Sequence, residues 1–298
     1  MKPGLGALLG AASIDGFLNR SWPNEPFSVH GLAFEPFRKF EILQSIEALL
    51  GSWPRVLQAH LPDVSDEASS VDVSPKDAQK LFANKMGLLF NNVETCIPDL
   101  REWIDAIRSD LGMPMMTYGR CIAYATPHGK GTAPHFDQNI NFVLQLHGTK
   151  KWRIAPNRHV ENPLVRHTMG LALDPELAPY AQPMPTAMPE DETSEIVLKP
   201  GSLLFVPRGY WHTTEAEGEA LAMNFTFNQP SWADLFTAAL RSRLTLSPEW
   251  RELADGVSST DPALRTAATR RFDQLLLELT SDIPNWQASD ILSATEGH

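Results

Sequence analysis

His135 and Asp137 lie two residues apart at the start of the stretch HFDQNINFVLQLHGTKKW. Residues two apart on a β-strand point to the same side of the sheet, so these two side chains project together. One imidazole and one carboxylate are two of the three ligands in the facial triad that holds non-haem Fe(II) and leaves coordination positions open. Alone the pair is a weak signal, because a chain with nine histidines contains such pairs by chance.

A third ligand has to come from another strand. In the stretch KPGSLLFVPRGYWH an apolar strand ends in a turn, and Trp211 and His212 begin the next strand. Distant parts of a chain share one interior in an antiparallel barrel, so His212 can complete a triad with His135 and Asp137. The same position also suits a hydrogen-bonded core histidine beside a buried tryptophan, and the spacing is compatible with both.

The elements around these residues are predicted from apolar patterning. From Tyr118 to Phe227, short apolar runs alternate with glycine, proline and charged residues, which is typical of antiparallel sandwiches and barrels. We expect separate strands at INFVLQLHG and KWRIAP, with His147 in a solvated turn between them. A proline-rich insertion, residues 157–195, interrupts the pattern, and a loop of this length is functional or mobile.

Helical patterns stand on either side of this β region. Ser74 and Pro75 predict the first residues of a helix, and the sequence from Leu100 to Leu111 has helical spacing that Gly112 ends. The expected organisation is a mixed α/β part at 1–117, a barrel at 118–229 and a helical part at 230–298. The C-terminal helices are candidates either for packing on the barrel or for a homodimer interface.

Composition excludes several classes of protein. The net charge is −11, with 36 acidic against 25 basic residues, which argues against nucleic acid bound through a broad basic surface. The chain has no apolar run long enough for a membrane helix. Two cysteines, Cys96 and Cys121, provide no disulfide framework and are expected to be buried reduced thiols. The start MKPGLGALLGAAS only faintly resembles a signal peptide, so a cytoplasmic location is expected.

The order of motifs resembles a known family. FLNRSWPNEPFSVHG, DAQKLFANKMGLLFNNVE, LGMP, HFDQNINFVLQLHGTKKWRIAP and PGSLLFVPRGYWH follow one another between Asp15 and Phe227. The series resembles the JmjC/cupin-like oxygenases that depend on Fe(II) and 2-oxoglutarate, particularly the bacterial ribosomal-oxygenase-like and asparaginyl-hydroxylase-like branches. The resemblance implies a double-stranded β-helix, mainly β with flanking helices, in which His135, Asp137 and His212 bind the iron.

The resemblance also implies how the cosubstrates bind. Lys150 is at the position where similar enzymes pair a Lys or Arg with the distal carboxylate of 2-oxoglutarate, and Arg153 is the next cation to consider. Thr132, Asn141 and Asn224 match polar contacts to the cosubstrate, although they also suit turn and strand-edge positions. Lys151 would face the opposite, solvated side. O2 is the second cosubstrate.

The implied activity is hydroxylation of a side chain of a protein, a peptide or a carrier-bound amino acid. Two alternatives remain at this stage: a metal cupin that acts on a small molecule without 2-oxoglutarate, and a non-catalytic binding module. We expect a polypeptide or peptide-like partner, and neither nucleic acid nor membrane. The acidic stretch PEDETSE and the net charge favour a basic substrate segment during encounter, although a solvated loop explains the stretch equally well.

Overall fold

The computed structural model describes residues 2–10, 13–60 and 69–296. The start that faintly resembles a signal peptide lies partly outside them, while Leu5, Leu8 and Leu9 of its apolar run are buried in the core. The chain divides into two compact units: Met1–Met113 with Tyr118–Asn228, and Pro114–Thr117 with Gln229–His298. No helix in the described ranges is long and apolar enough to cross a membrane.

The first unit contains helices and an antiparallel sheet. Its helices are α1 (Leu5–Leu9), α2 (Ile14–Arg20), α3 (Glu35–Arg38), α4 (Ile46–Ser52), α5 (Pro75–Ala83) and α6 (Asp99–Asp110). Its strands are β1 (Phe27–Val29), β2 (Leu57–His60), β3 (Ser70–Val73), β4 (Leu88–Asn91), β5 (Tyr118–Thr126), β6 (Gly131–Phe136), β7 (Ile140–Ala155), β8 (His167–Thr168), β9 (Ser194–Leu198), β10 (Ser202–Val206) and β11 (Trp211–Asn228). This mainly β architecture with flanking helices confirms the predicted fold class.

The predicted helix starts and ends agree with the local chemistry. The Ser74 side chain accepts a hydrogen bond from the backbone N–H of Asp77, and Pro75 takes the first helical position of α5. In α6 the residues at helical spacing, among them Leu100, Trp103 and Ile107, are buried. The helix pattern therefore identified the face that packs on the sheet.

Two long strands, β7 and β11, form the centre of the sheet. They pair with each other in antiparallel register from Trp211 opposite Ala155 to Phe227 opposite Ile140. The first half of β11 also pairs with β6 and its second half with β5, while β7 pairs with β10 and then with β9. Each long strand therefore pairs with a different strand along each of its halves, and together these strands enclose a cavity.

The predicted turn between INFVLQLHG and KWRIAP is wrong. Both runs belong to the single strand β7, and the register shift opposite Leu221 absorbs the irregularity as a β-bulge. His147 is half-buried rather than solvated, and its Nε2 lies 3.1 Å from the carbonyl oxygen of Leu43. Gly148 resembles a turn residue because it has a left-handed φ of 66°, but here that conformation continues the strand.

The core lies mainly on one face of the first half of β7 and the second half of β11. Cys121 and Ala123 of β5 and Phe225 of β11 pack there against buried helix residues such as Phe37 and Trp103. The alternate residues of the same strands face the cavity. This period-two alternation makes one sheet serve both as a packing surface and as the wall of a site. Cys121 is buried, Cys96 is half-buried, and both thiols are free.

The second unit consists mainly of α7 (Trp232–Leu244), α8 (Pro262–Asp282) and α9 (Ala288–Thr295). A capping box between Ser231 and Asp234 starts α7. Several apolar residues predicted to share a face are exposed, including Trp232 at 78% and Phe272 at 54%. The homodimer through these helices stays a prediction.

The bulge at Gly148 generates a stability prediction. A Cβ at this position would lie 2.9 Å from Ala220 Cα and would overlap the carbonyl oxygen of Glu219, in addition to requiring a left-handed φ. We expect Gly148→Ala to lower the free energy of unfolding by about 3 kcal/mol or more in urea denaturation. Gly218→Ala is the matched control, because Gly218 also has a positive φ but would place its Cβ in open space. It should cost only about 1–2 kcal/mol. Equal losses in the two variants would show that the close approach of β7 to β11 is unimportant.

Candidate metal centre and its cavity

Three potential ligands meet where β6 ends and β11 begins. His135 belongs to β6, Asp137 follows its last residue, and His212 pairs with His135 across the two strands. One ligand atom of each residue lies within 4.8 Å of the other two. The Nε2 atoms of His135 and His212 are 3.9 Å and 3.7 Å from the two carboxylate oxygens of Asp137. The structure thus brings together the triad that the sequence predicts.

Both imidazoles are oriented by backbone carbonyl groups. The Nδ1 atom of His135 lies 2.8 Å from the carbonyl oxygen of Ala133, and that of His212 lies 2.9 Å from the carbonyl oxygen of Tyr210. A carbonyl oxygen only accepts, so each Nδ1 carries a proton and each Nε2 presents its lone pair to the centre. The ring of Trp152 stacks on His212 with centroids 5.6 Å apart, which further fixes the plane of this imidazole.

The Asp137 carboxylate is held from both sides. Arg166 Nε lies 3.3 Å from Oδ1, and the Asn141 side-chain amide donates to Oδ2 over 3.3 Å. Burial acts to raise the pKa of this carboxyl, but His135, His212, Arg166 and the Asn141 hydrogen bond together lower the pKa from its ordinary value. The group is therefore ready as an anion, the form that binds a metal.

This arrangement fits a divalent metal such as Fe(II). Two neutral imidazole nitrogens and one carboxylate converge, their outer atoms are hydrogen-bonded, and the remaining side faces a cavity. Within the described ranges, no other group of three or more His, Cys, Asp or Glu side chains comes this close together.

A cavity of about 400 Å³ opens beside the triad. Its wall includes all the residues predicted to contact the cosubstrate, namely Thr132, Asn141, Lys150 and Asn224. Tyr124 of β5 also lines it. Volumes of this size are typical of sites for small ligands. The sequence prediction therefore selected residues that share one space, and their roles stay predictions.

Lys150 is 4% exposed, and its ammonium group donates to the hydroxyl of Thr126 over 2.8 Å. The same Nζ lies 5.9 Å from the centre of the Tyr124 ring. Lys151 points to the other face of the strand, where Glu195 and Glu217 lie 3.7 Å and 3.9 Å from its Nζ. The alternation of β7 thus separates a cavity lysine from a surface lysine, as expected.

The three polar candidates have different local partners. Thr132 shares a hydroxyl–hydroxyl hydrogen bond of 3.0 Å with Thr214, and the Thr226 hydroxyl donates to the side-chain oxygen of Asn141 over 2.8 Å. Asn224 is buried, and its Oδ1 has no hydrogen-bond partner in the described part of the chain. Asn141 therefore orients the candidate ligand Asp137 directly, whereas Asn224 offers an acceptor without a partner among the described residues.

Sequence reasoning missed other members of the cavity wall. Arg120, Tyr124 and Arg166 all line it, while Arg153, the second cation considered from the sequence, is exposed and absent from the wall. The alternation of β5 could have revealed Arg120 and Tyr124, because they share a face with Ile122. Arg166 lies within the long insertion, where no periodic pattern indicates its direction.

One histidine of the insertion, His167, is buried. His167 is 4% exposed on β8, which pairs with β6, and its ring lies 5.8 Å from that of Phe136 and 6.1 Å from that of Trp211. Burial, followed by the charge of Arg166, lowers the pKa of His167. The insertion therefore packs firmly beside the triad and is not a solvated loop at this point.

Residues 102–235 match the family model of the JmjC domain. Over these residues the chain is therefore similar to the JmjC domain, which confirms the resemblance found in its motifs. The cofactors expected from the sequence, Fe(II) with 2-oxoglutarate and O2 as cosubstrates, are those of this family, and the His–Asp–His triad fits the metal.

Individual proteins are similar to the chain in sequence or in fold. The chain is 29% identical to the uncharacterized protein YxbC of Bacillus subtilis over 286 residues, which cover 93% of this chain and 87% of YxbC. It is 31% identical to ribosomal oxygenase 1 of Gallus gallus over 184 residues, or 56% of this chain and 29% of that protein. Its fold is similar to that of YcfD, a ribosomal oxygenase from Escherichia coli solved with cobalt and succinic acid. The TM-score is 0.53 at 17% identity, with 94% of this chain and 69% of that chain covered. The chain thus spans less than a third of the ribosomal oxygenase 1 sequence that it matches.

The triad geometry predicts one metal site per chain. We expect one equivalent of Mn(II), used as an air-stable substitute for Fe(II), in isothermal titration. His135→Ala, Asp137→Ala and His212→Ala should each weaken binding by more than about a hundredfold, and Asn141→Ala by about 10- to 100-fold, because it orients a ligand. His159→Ala, in the insertion and outside the cavity wall, is the matched histidine control. Full affinity in Asp137→Ala would contradict the assignment.

Proposed function

We propose that the protein is an Fe(II)- and 2-oxoglutarate-dependent oxygenase that hydroxylates a side chain of a polypeptide or peptide-like substrate. The observation that carries the proposal is that the triad and the buried Lys150 line the same cavity of about 400 Å³. A metal site without a cosubstrate needs no buried ammonium beside it, whereas 2-oxoglutarate brings a distal carboxylate that suits one.

In this proposal His135, Asp137 and His212 hold the metal, and Lys150 with Thr126 receives the distal carboxylate of 2-oxoglutarate. Fe(II), once bound, supplies the oxidative decarboxylation of 2-oxoglutarate to succinate and carbon dioxide, coupled to insertion of one oxygen atom into a C–H bond. The protein positions the reactants and keeps water away from them. Thr132, Asn141 and Asn224 line the space between, where we assign them polar contacts to the cosubstrate.

Hydroxylation is favoured over removal of a methyl group from lysine by the charges of the cavity. A methylated lysine would bring a further cation into a space already lined by Arg120, Lys150 and Arg166. Ribosomal oxygenase 1 and a bifunctional lysine-specific demethylase and histidyl-hydroxylase, NO66 of Drosophila persimilis, are both relatives, the latter 35% identical over 121 residues. These names support a polypeptide substrate. The cytoplasmic location stays a prediction.

The role of Lys150 can be tested through the 2-oxoglutarate requirement. Removal of one partner of a desolvated charge pair costs roughly 2–5 kcal/mol, so Lys150→Ala should raise the apparent KM for 2-oxoglutarate at least about thirtyfold. Lys151→Ala, which removes the same charge from the opposite face of β7, should leave it unchanged. Succinate formation measured against 2-oxoglutarate concentration gives both values. An unchanged KM in Lys150→Ala would assign the distal carboxylate to another cation.

The reaction itself is identified by the mass of its product. Enzyme, Fe(II), 2-oxoglutarate and candidate peptides from ribosomal proteins and from proteins encoded nearby should yield succinate together with a peptide heavier by one oxygen atom. Peptide loss of a methyl group would identify a demethylase. Turnover of a small molecule without succinate formation would favour the metal cupin alternative.

A further inference from the structure

Arg120 lines the metal cavity from β5, at the opposite end of that strand from Thr126. Its neighbours across the sheet are Thr226 on β11 and then Asn141 on β7, which are consecutive partners in the strand register. Adjacent strands are about 4.8 Å apart, so the Cα atoms of Arg120 and Asn141 are separated by about 10 Å. Because Asn141 donates to the metal ligand Asp137, the Arg120 guanidinium is within reach of the space beside the metal.

This guanidinium is half-buried without a counter-charge. The Arg120 side chain makes no hydrogen bond or ion pair with any residue in the described ranges, 2–10, 13–60 and 69–296, although its backbone pairs with β11. Asn91 and Gln58 line the same cavity, and the Asn91 amide donates to the side-chain oxygen of Gln58 over 3.0 Å. A half-buried cation without a counter-charge in a cavity that also holds neutral amide groups suits an incoming anion.

The position of Arg120 separates it from the cosubstrate end of the cavity. Lys150 donates to Thr126, which is six positions along β5 from Arg120. At about 3.3 Å per residue, the Cα atoms of Arg120 and Thr126 are about 20 Å apart. One short dicarboxylate cannot bind both cations through the same carboxylate group, so Arg120 defines a second subsite.

The charges of the cavity support an anionic occupant. Among the described residues that line it, the cations are Arg120, Lys150 and Arg166, and Asp137 is the only carboxylate. A bound metal dication and the 2-oxoglutarate dianion cancel, so they leave this excess of positive charge in place. The cavity therefore contrasts with the whole chain, whose net charge is −11.

We propose that Arg120 binds a carboxylate of the substrate and thereby selects an acidic group for the position beside the metal. The inference rests on the proposed function and specifies its substrate class. The carboxylate can belong to an Asp or Glu side chain, to the C-terminus of a peptide or to a free amino acid, and these sources share the same recognition. A basic flanking segment, which the net charge favours during encounter, is compatible with an acidic group inside the cavity.

The test uses binding to the full chain loaded with Mn(II) and 2-oxoglutarate, so that no turnover is needed. The probes are five synthetic peptides that differ only in the central residue, which is Asp, Glu, Asn, Gln or Lys. All five are amidated at the C-terminus. The same peptide with a free C-terminus, and free aspartate and glutamate, distinguish the three sources of the carboxylate. We expect at least one carboxylate probe to bind about tenfold or more tighter than its amide twin, because a charge-assisted Arg–carboxylate pair is stronger than an amide contact.

Variants assign the preference to Arg120. Arg120→Gln should remove the advantage of the carboxylate over the amide, and Arg120→Glu should reverse it in favour of the Lys peptide. Arg153→Gln, which removes an exposed arginine outside the cavity wall, is the control and should keep the preference. Affinities for Mn(II) and 2-oxoglutarate should be unchanged in all three variants, which also shows that the fold is intact.

The outcomes separate this inference from the proposed function. Absence of 2-oxoglutarate binding to the Mn(II)-loaded protein would overturn the proposed function itself. Normal cosubstrate binding with no carboxylate preference, or with a preference that survives Arg120→Gln, would overturn only the role of Arg120. Binding of none of the carboxylate probes would overturn it as well.

Discussion

The antiparallel pairing of β7 with β11 is the interaction on which the rest of the site depends. Its register runs nearly the full length of both strands and shifts twice, on either side of Leu221. β11 can therefore pair with β6 along its first half and with β5 along its second half. In the same way β7 pairs first with β10 and then with β9. A change of one residue in this register would turn Lys150 out of the cavity and Lys151 into it, because neighbouring residues face opposite sides.

The same pairing explains why the triad has a fixed shape. His212 is the second residue of β11 and lies beside His135 on β6, while Asn141 is the second residue of β7 and donates to Asp137. A backbone carbonyl group next to Nδ1 fixes the tautomer of each histidine. The site thus depends on main-chain geometry that many different surface sequences could support.

The fold and the convergence of the three candidate ligands could be predicted from the sequence, but their surroundings could only partly be predicted. His135 and Asp137 follow from a two-residue spacing, and the motif order identifies the family. The turn predicted at Gly148 was wrong because a glycine with a left-handed φ suits a turn and a β-bulge equally well. The approach of Arg166 to Asp137 depends on the pairing of the two-residue strand β8 with β6, for which the proline-rich insertion has no periodic signal. Arg120 was visible in the alternation of β5 and needed only the direction of the cavity.

The separation of the two histidine strands along the chain determines when the centre can exist. His135 and His212 become neighbours only after the insertion and β9, β10 and the start of β11 have been synthesised, so a nascent chain that ends before residue 212 presents only two of the three ligands. Contacts between such distant segments form late and slowly in folding. A metal ion held by the three side chains would therefore bind only after β11 has begun to pair with β6. Such an ion would hold the two strands together and would favour the native state to an extent that grows with the concentration of free metal.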